Sequence, residues 1–178
     1  IAVPTRGAVP LVLNTGDSVK VTYLAEDSKF EFETTVTGRR HDNIPLYVLA
    51  MPSEYKRIQL REFVRVFAVL EVYYAEVPED GREPVYIKGY SFDLSGGGIR
   101  LLLKEKYEAD TNLLINFAIQ LKTGPEHLKV QGRVVRSWLD ENSGLYQTAV
   151  QFININRREQ DLIVRYVLMK MSEQRRLR

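Results

Sequence analysis

Three arginines, Arg57, Arg61 and Arg65, recur at intervals of four within the stretch KRIQLREFVR, residues 56–65. That interval is even, so it returns to the same face of a strand, and it is close to one turn of a helix. Guanidiniums aligned in this way repel one another and belong either in open solvent or against an anion. Arginine suits the second setting, because its planar fork meets a phosphate or a purine edge with two parallel hydrogen bonds. A second stretch, DLSGGGIR over residues 93–100, also carries binding chemistry. Asp93 and Ser95 are two apart at a strand end and share a face. One offers a carboxylate, the other a hydroxyl. The glycines that follow let backbone approach a ligand and present N–H groups to an anion or a base edge. Each stretch also has an ordinary reading: a solvated face for the arginines, a hairpin turn for the Asp-Ser-Gly run.

Catalytic constellations do not emerge from the rest of the chain. His41 follows Arg39 and Arg40 in a segment read as a polar loop, and His127 ends the predicted turn from Thr123. Neither has a second histidine or carboxylate at metal-ligand spacing. The nucleophile-elbow, Walker A and dinucleotide-binding patterns are missing, and the acidic residues are scattered rather than paired. There is no cysteine, which excludes thiol catalysis and disulfides and fits a reducing cytoplasm. The reading is a binding protein, not an enzyme, with no metal and no cofactor. Lys and Arg number 25 against 23 Asp and Glu, a net charge of +2. So weak a global field argues against nucleic acid as the partner, and any anion site must come from local clustering. No apolar run approaches the roughly 18 residues that cross a bilayer, and no signal peptide is visible.

The elements that must position these residues are mostly strands. Ser18–Ala25 and Phe30–Val36 alternate apolar and polar residues, and Leu46–Met51 is strand-like. Leu11–Leu13 reads as a short edge strand, Glu26–Lys29 as a turn and Gly38–Pro45 as a polar loop. Period-two patterning with frequent turns predicts a small antiparallel barrel or sandwich. With three or four strands it is incomplete, and the first residue is Ile1 rather than Met, so sequence before Ile1 is expected. Pro52–Glu54 breaks the pattern, which puts a domain boundary there: residues 1–54, then 55–178. The second part reads as six strands: Phe63–Glu76, Val85–Leu94, Ile99–Leu103, Asn112–Leu121, Leu128–Leu139 and Leu145–Ile155. A hairpin turn is expected over Pro78–Pro84 and a tight turn at Ser95–Gly98. The period then changes. Asn156 and Glu159 form a capping-box pattern, and Leu162, Ile163, Tyr166 and Val167 follow at helical spacing. A helix over about 156–177 is predicted, with Arg175, Arg176 and Arg178 as a basic tail. The fold class is all-β, two small antiparallel barrels with a C-terminal helix.

Taken together, Arg61-x-x-x-Arg65 and, about thirty residues on, Asp93-x-Ser95-x-x-Gly98 on an all-β background resemble the PilZ domain. Residues 10–51 are similar to part of the N-terminal β-domain of YcgR-type flagellar brake proteins, and LREFVRV lies where those proteins join their two domains. The resemblance implies a receptor for the bacterial second messenger cyclic di-GMP. It assigns Arg61 and Arg65 to guanine and phosphate, Asp93 to the guanine N1 and N2 donors, and Ser95 to phosphate or the base edge. Gly97 and Gly98 would leave room for the ligand. Arg57 lies outside the strict motif, and its register makes it a phosphate partner. Relatives often carry a second basic residue before the motif arginine. Here it is Leu60, which cannot supply that charge, so one cyclic di-GMP per site is expected. Trp138 could stack on a guanine, although core or rim packing is the commoner role for a lone tryptophan.

The implied mechanism is a change of domain orientation when a dianionic ligand cancels the repulsion along the arginine row. The implied partner is a protein of the flagellar motor or stator. The alternative is a degenerate PilZ-like module that binds protein and no nucleotide. A single-strand nucleic-acid barrel is a further rival, disfavoured by the small net charge.

Overall fold

The computed structural model describes residues 1–25, 28–78 and 81–176. Glu26 and Asp27 of the first expected turn, Glu79 and Asp80 of the expected hairpin turn, and Arg178 lie outside the described residues. Packing divides the chain into two units, Ile1–Glu62 and Phe63–Arg178.

In the first unit a two-residue pair, β1 (Thr5–Arg6) and β2 (Val9–Pro10), precedes β3 (Ser18–Ala25), β4 (Ser28–Asp42), β5 (Ile44–Leu49) and β6 (Lys56–Gln59). In β3, Val19 and Val21 are half-buried while Lys20 and Thr22 are exposed, as the alternation requires. The long strand β4 pairs with β3, β5 and β6, and among the described residues these pairings do not close a ring. A register shift between Val36 and Gly38 separates the half of β4 that meets β3 and β6 from the half that meets β5. A bulge at such a point bends a strand and lets it serve two sets of neighbours. Two sequence expectations are corrected here. Gly38–Asp42 is not a loop but the second half of β4, and the turn narrows to Asn43, which takes a φ of 37°. Leu11–Leu13 is not a strand. Its backbone bonds go to the Tyr47 hydroxyl, to Pro4 and to Arg39 instead of to a ladder.

The second unit holds β7 (Arg65–Phe67), β8 (Glu71–Glu76), β9 (Ile87–Ser95), β10 (Gly98–Leu103), β11 (Asn112–Leu121), β12 (Gly124–Asp140), β13 (Leu145–Ile153) and α1 (Arg157–Arg176). The sheet runs β10-β13-β12-β11-β8-β9, and β10 pairs again with β9, which closes a six-stranded barrel. Alternation fills its interior: Leu113, Ile115, Phe117, Ile119 and Leu121 of β11 are all buried, together with Leu94, Ile99, Leu101 and Leu103. The helix covers the barrel with Ile163, Tyr166 and Val167. It starts on a true capping box: Asn156 Oδ1 accepts from the Glu159 N–H at 2.9 Å, and Glu159 Oε2 accepts from the Asn156 N–H at 3.3 Å.

The predicted strand Phe63–Glu76 is broken into β7 and β8. Ser91, fully buried on β9, spans the break: its hydroxyl donates to the Ala68 carbonyl at 2.5 Å and accepts the Leu70 N–H at 2.8 Å. Both histidines also lie on strands, not loops. His41 pairs with Pro45 on β4–β5, and His127 with Ala118 on β11–β12, because β12 begins at Gly124.

Candidate functional site

Three adjacent strands position the second motif. Arg65 of β7 lies opposite Ser95 of β9, which in turn lies opposite Gly98 of β10. The next row is Val66, Leu94 and Ile99, all buried in the core. The row after that is Phe67, Asp93 and Arg100. Directly opposed residues share a face and successive residues alternate. Arg65, Ser95 and Asp93 therefore all point away from the core, on one patch of the barrel wall. Arg65 is exposed, whereas Asp93 and Ser95 are buried at 8% and 5% exposure.

The register of β9 shifts between its pairs with Arg100 and Leu101, leaving Phe92 as the extra residue. Upstream of this bulge Gly89 and Ser91 are the buried positions, and downstream the inward position is Leu94. The bulge resets the phase, so Phe92 and Asp93 reach the outer face together. Phe92 stacks there: its ring lies 5.2 Å from Phe67, edge to face, and the Arg100 guanidinium sits 4.2 Å above it.

Arg100 holds Asp93. Its Nε donates to Asp93 Oδ2 at 2.7 Å, Nη2 donates to the same oxygen, and Nη1 donates to Gln147 Oε1 at 2.9 Å. Trp138 lies 6.0 Å from this guanidinium and 4.8 Å from that of Arg136. Its ring is thus part of a cation–aromatic ladder on the barrel wall.

The turn Gly96–Gly97 is fastened on three sides. The Gly96 carbonyl accepts from Gln160 of α1 at 3.1 Å, the Gly97 carbonyl accepts from the Phe152 N–H at 3.0 Å, and the Ser95 hydroxyl donates to the Gly98 carbonyl at 3.1 Å. A Cβ at Gly98 would meet the Val150 carbonyl oxygen at 2.4 Å, and one at Gly97 would meet the Phe63 ring at 3.0 Å. The space that these glycines leave is filled by the protein itself, by β13 and by Phe63.

The arginine row is not one continuous face. β6 ends at Gln59 and β7 starts at Arg65, so no single strand or helix carries the interval of four across residues 57–65. Arg57, on β6, is turned into its own unit: Nε donates to the Ser28 hydroxyl at 3.0 Å, and the guanidinium lies 5.9 Å from the Phe30 ring. Arg61 is half-buried beyond the end of β6, and its carbonyl accepts from Gln59 at 3.3 Å. Leu60 is 52% exposed. The second unit brings together Arg65, Asp93, Ser95, Gly97 and Gly98, while Arg57 and Arg61 belong to the first.

Elsewhere, a groove of about 520 Å³ runs between α1 and the β11–β12 turn, lined by Leu121, Lys122, Arg165, Leu168, Met169 and Arg176 among others. None of the predicted site residues lines it. Among the described residues no group of acidic or histidine side chains is arranged to hold a metal, and no helix is long and apolar enough to cross a membrane.

The family model of the PilZ domain matches residues 59–169. The chain belongs to the PilZ family. A second model, described as flagellar protein YcgR, matches residues 1–52, so this is a YcgR-like PilZ protein. YpfA of Bacillus subtilis (strain 168) is 23% identical over 171 residues, spanning 93% of this chain and 76% of the relative. The solved inhibitor of motility MotI/DgrA from B. subtilis superposes with a TM-score of 0.71 at 23% identity, covering 93% of this chain and 78% of its own. YcgR of Escherichia coli, solved in complex with cyclic di-GMP, gives 0.55 at 16% identity over 89% and 67%. MrkH of Klebsiella pneumonia, also solved with cyclic di-GMP, gives 0.54 at 19% over 94% and 77%.

Within this PilZ barrel, sequence reasoning missed Arg100, the residue that holds Asp93. Hairpin arithmetic could have found it. If Gly96 and Gly97 form a two-residue turn, Ser95 pairs with Gly98, and Asp93 falls opposite Arg100.

Proposed function

We propose that this protein is a receptor for cyclic di-GMP and a regulator of motility. The observation that carries the reading is the outward row of Arg65 against Ser95, with Asp93 two residues along the same strand face, inside the segment matched by the PilZ family model. Arg65 and Arg61 supply the charge-assisted bonds, each forking onto a guanine edge or a phosphate, at about 1.5–3 kcal/mol per bond. Asp93 accepts from the guanine N1 and N2 donors, and Ser95 bonds phosphate or the base edge. Gly97 and Gly98 contribute by fixing the hairpin that carries Asp93 and Ser95. Arg57, engaged with Ser28 and Phe30, is a subsidiary phosphate contact. With Leu60 where relatives often carry a cation, one ligand occupies the site.

Ligand binding then changes the orientation of the two units, as a dianion neutralises the arginines near the junction and ties them to the barrel. The partner that senses the change belongs to the flagellar motor or stator. Support comes from the YcgR model on residues 1–52 and from the fold shared with a B. subtilis inhibitor of motility. Titration calorimetry with cyclic di-GMP tests the receptor reading. One ligand per chain is expected, and replacing Arg61 and Arg65 together by alanine is expected to abolish the heat while the barrel stays folded. Folded wild-type protein that releases no heat would leave a protein-binding module as the better account.

A further inference from the structure

We infer that Arg100 reads the guanine base directly and, with Asp93, sets the preference for guanine over adenine. The inference rests on the receptor reading above and deepens it. Arginine carries five N–H donors. In Arg100, Nε–H and one N–H of Nη2 are spent on Asp93 Oδ2, and one N–H of Nη1 on Gln147. What remains is one N–H on each Nη, two donors for a further acceptor pair. Both bonds to Asp93 converge on Oδ2, so Oδ1 keeps its lone pairs for another donor. The ion pair therefore presents an acceptor beside a two-pronged donor.

Guanine offers the complement. Its N1–H and N2–H donate, and its O6 and N7 accept in the spacing that an arginine fork fits. Oδ1 of Asp93 takes the donors while the Arg100 fork takes O6 and N7. Adenine reverses two of these groups: its N1 is an acceptor facing the carboxylate, and its 6-amino group is a donor facing the fork. A site built for hydrogen bonds rejects the analogue that leaves them unmade, because its own buried and half-buried groups then lose their partners. Asp93 and Arg100 have side chains 11% and 28% exposed, reachable from solvent yet largely withdrawn from it.

The guanidinium plane is also held before any ligand arrives. Phe92 lies 4.2 Å beneath it, and Gln147 and Asp93 fix two of its edges. A fork so oriented needs little ordering on binding. Lysine at this position would keep a charge beside Asp93 but has neither the plane nor the fork.

The test is calorimetric titration of the wild-type chain, Arg100→Lys and Arg100→Gln with cyclic di-GMP and with cyclic di-AMP, at one salt concentration. Folding of each variant is read from the fluorescence of Trp138. Loss of a bidentate base contact is expected to weaken cyclic di-GMP by about 5- to 150-fold in both variants. Cyclic di-AMP affinity is expected to change little, so the guanine-to-adenine ratio collapses by the same factor. A purely structural role for Arg100 would weaken both ligands equally. That result, or an unchanged ratio in a folded variant, overturns the inference while the receptor reading stands. Wild-type protein that takes up neither ligand overturns the receptor reading, and this one with it.

Discussion

Gly98 is a motif residue, and its replacement by alanine separates two explanations for why a glycine sits there. The added Cβ would lie 2.4 Å from the Val150 carbonyl oxygen, which is backbone of the adjoining strand β13. Ordinary contact needs about an ångström more, and a strand in the middle of a closed ring cannot retreat without loosening the pairs beside it. The pair Gly98–Gln151 and the bond from the Phe152 N–H to the Gly97 carbonyl are the nearest to give way. Overpacking of this kind costs about 1–3 kcal/mol, and a weakened hydrogen bond adds about 1 kcal/mol. The expected loss is therefore about 2–4 kcal/mol. With a urea m-value of about 2 kcal/mol/M, the midpoint falls by about 1–2 M. The chain's one tryptophan, Trp138, is on β12 and reports the barrel without signal from the first unit. Gly97→Ala is the control. Its Cβ meets a side chain, the Phe63 ring at 3.0 Å, which can turn aside at a cost of about 1 kcal/mol. Equal midpoints for the two variants, or a Gly98→Ala protein as stable as wild type, would refute the close-approach argument. A Gly98→Ala protein destabilised in this way would lose ligand affinity without losing any ligand contact.

Three further outcomes follow from the geometry. Asn156→Ala removes the bond that Asn156 Oδ1 accepts from the Glu159 N–H, while the backbone N–H of residue 156 can still donate to Glu159, and is expected to destabilise the second unit by about 1 kcal/mol, seen as a lower melting midpoint of Trp138 fluorescence. Burial raises the Tyr107 hydroxyl pKa well above its ordinary value, and Tyr74 is raised likewise by burial. A raised folded-state pKa contributes stability that is complete below the unfolded value of about 10 and is lost as pH climbs above it. Denaturation midpoints are therefore expected to fall as pH rises past about 10, and Tyr107→Phe should flatten that slope; a slope unaltered by the replacement would count against the assignment. Arg57→Ala removes a bond to Ser28 and a contact with Phe30, so it is expected to loosen the first unit while reducing cyclic di-GMP affinity far less than Arg65→Ala, in paired titrations.

The barrel was legible wherever one face is buried and the other wet. The bounds of β11 match those predicted and β10 starts one residue earlier, at Gly98, while the runs Leu101–Leu103 and Leu113–Ile115 hide from the sequence which residues point inward. The helix was legible for a similar reason, since its cap and its apolar stripe are both local. What escaped depends on partners far away in the chain. Gly38–Asp42 is polar enough to read as a loop, yet it is strand because β5 supplies the ladder. The break between β7 and β8 is stabilised by Ser91, some twenty residues downstream, and nothing within 63–76 announces it. The arginine spacing suggested a common face only on the premise of one unbroken element, and the chain is irregular between β6 and β7. Asp93 and Ser95 were placed on one face correctly because their spacing is short. Of their surroundings, Arg100 was within reach of hairpin arithmetic, whereas the Phe92 bulge was not, because it depends on a register shift across the hairpin.

The way β9 is shared has a mechanical consequence. Its first half is flanked by β8 and its second half by β7, while β10 runs along the opposite edge. The ring of six closes without β7, which is attached by three residue pairs to one strand, by Val66 buried in the core, and by a side-chain bond from Gln174 to the Phe67 carbonyl. β7 is thus a flap on a finished cylinder. Releasing it would break three residue pairs and uncover Val66, yet would leave the six-stranded ring closed. Arg65 rides on that flap, while Asp93 and Ser95 are fixed to the cylinder wall. A molecule that gripped both sides would add a tie between β7 and the cylinder wall without straining the closed ring.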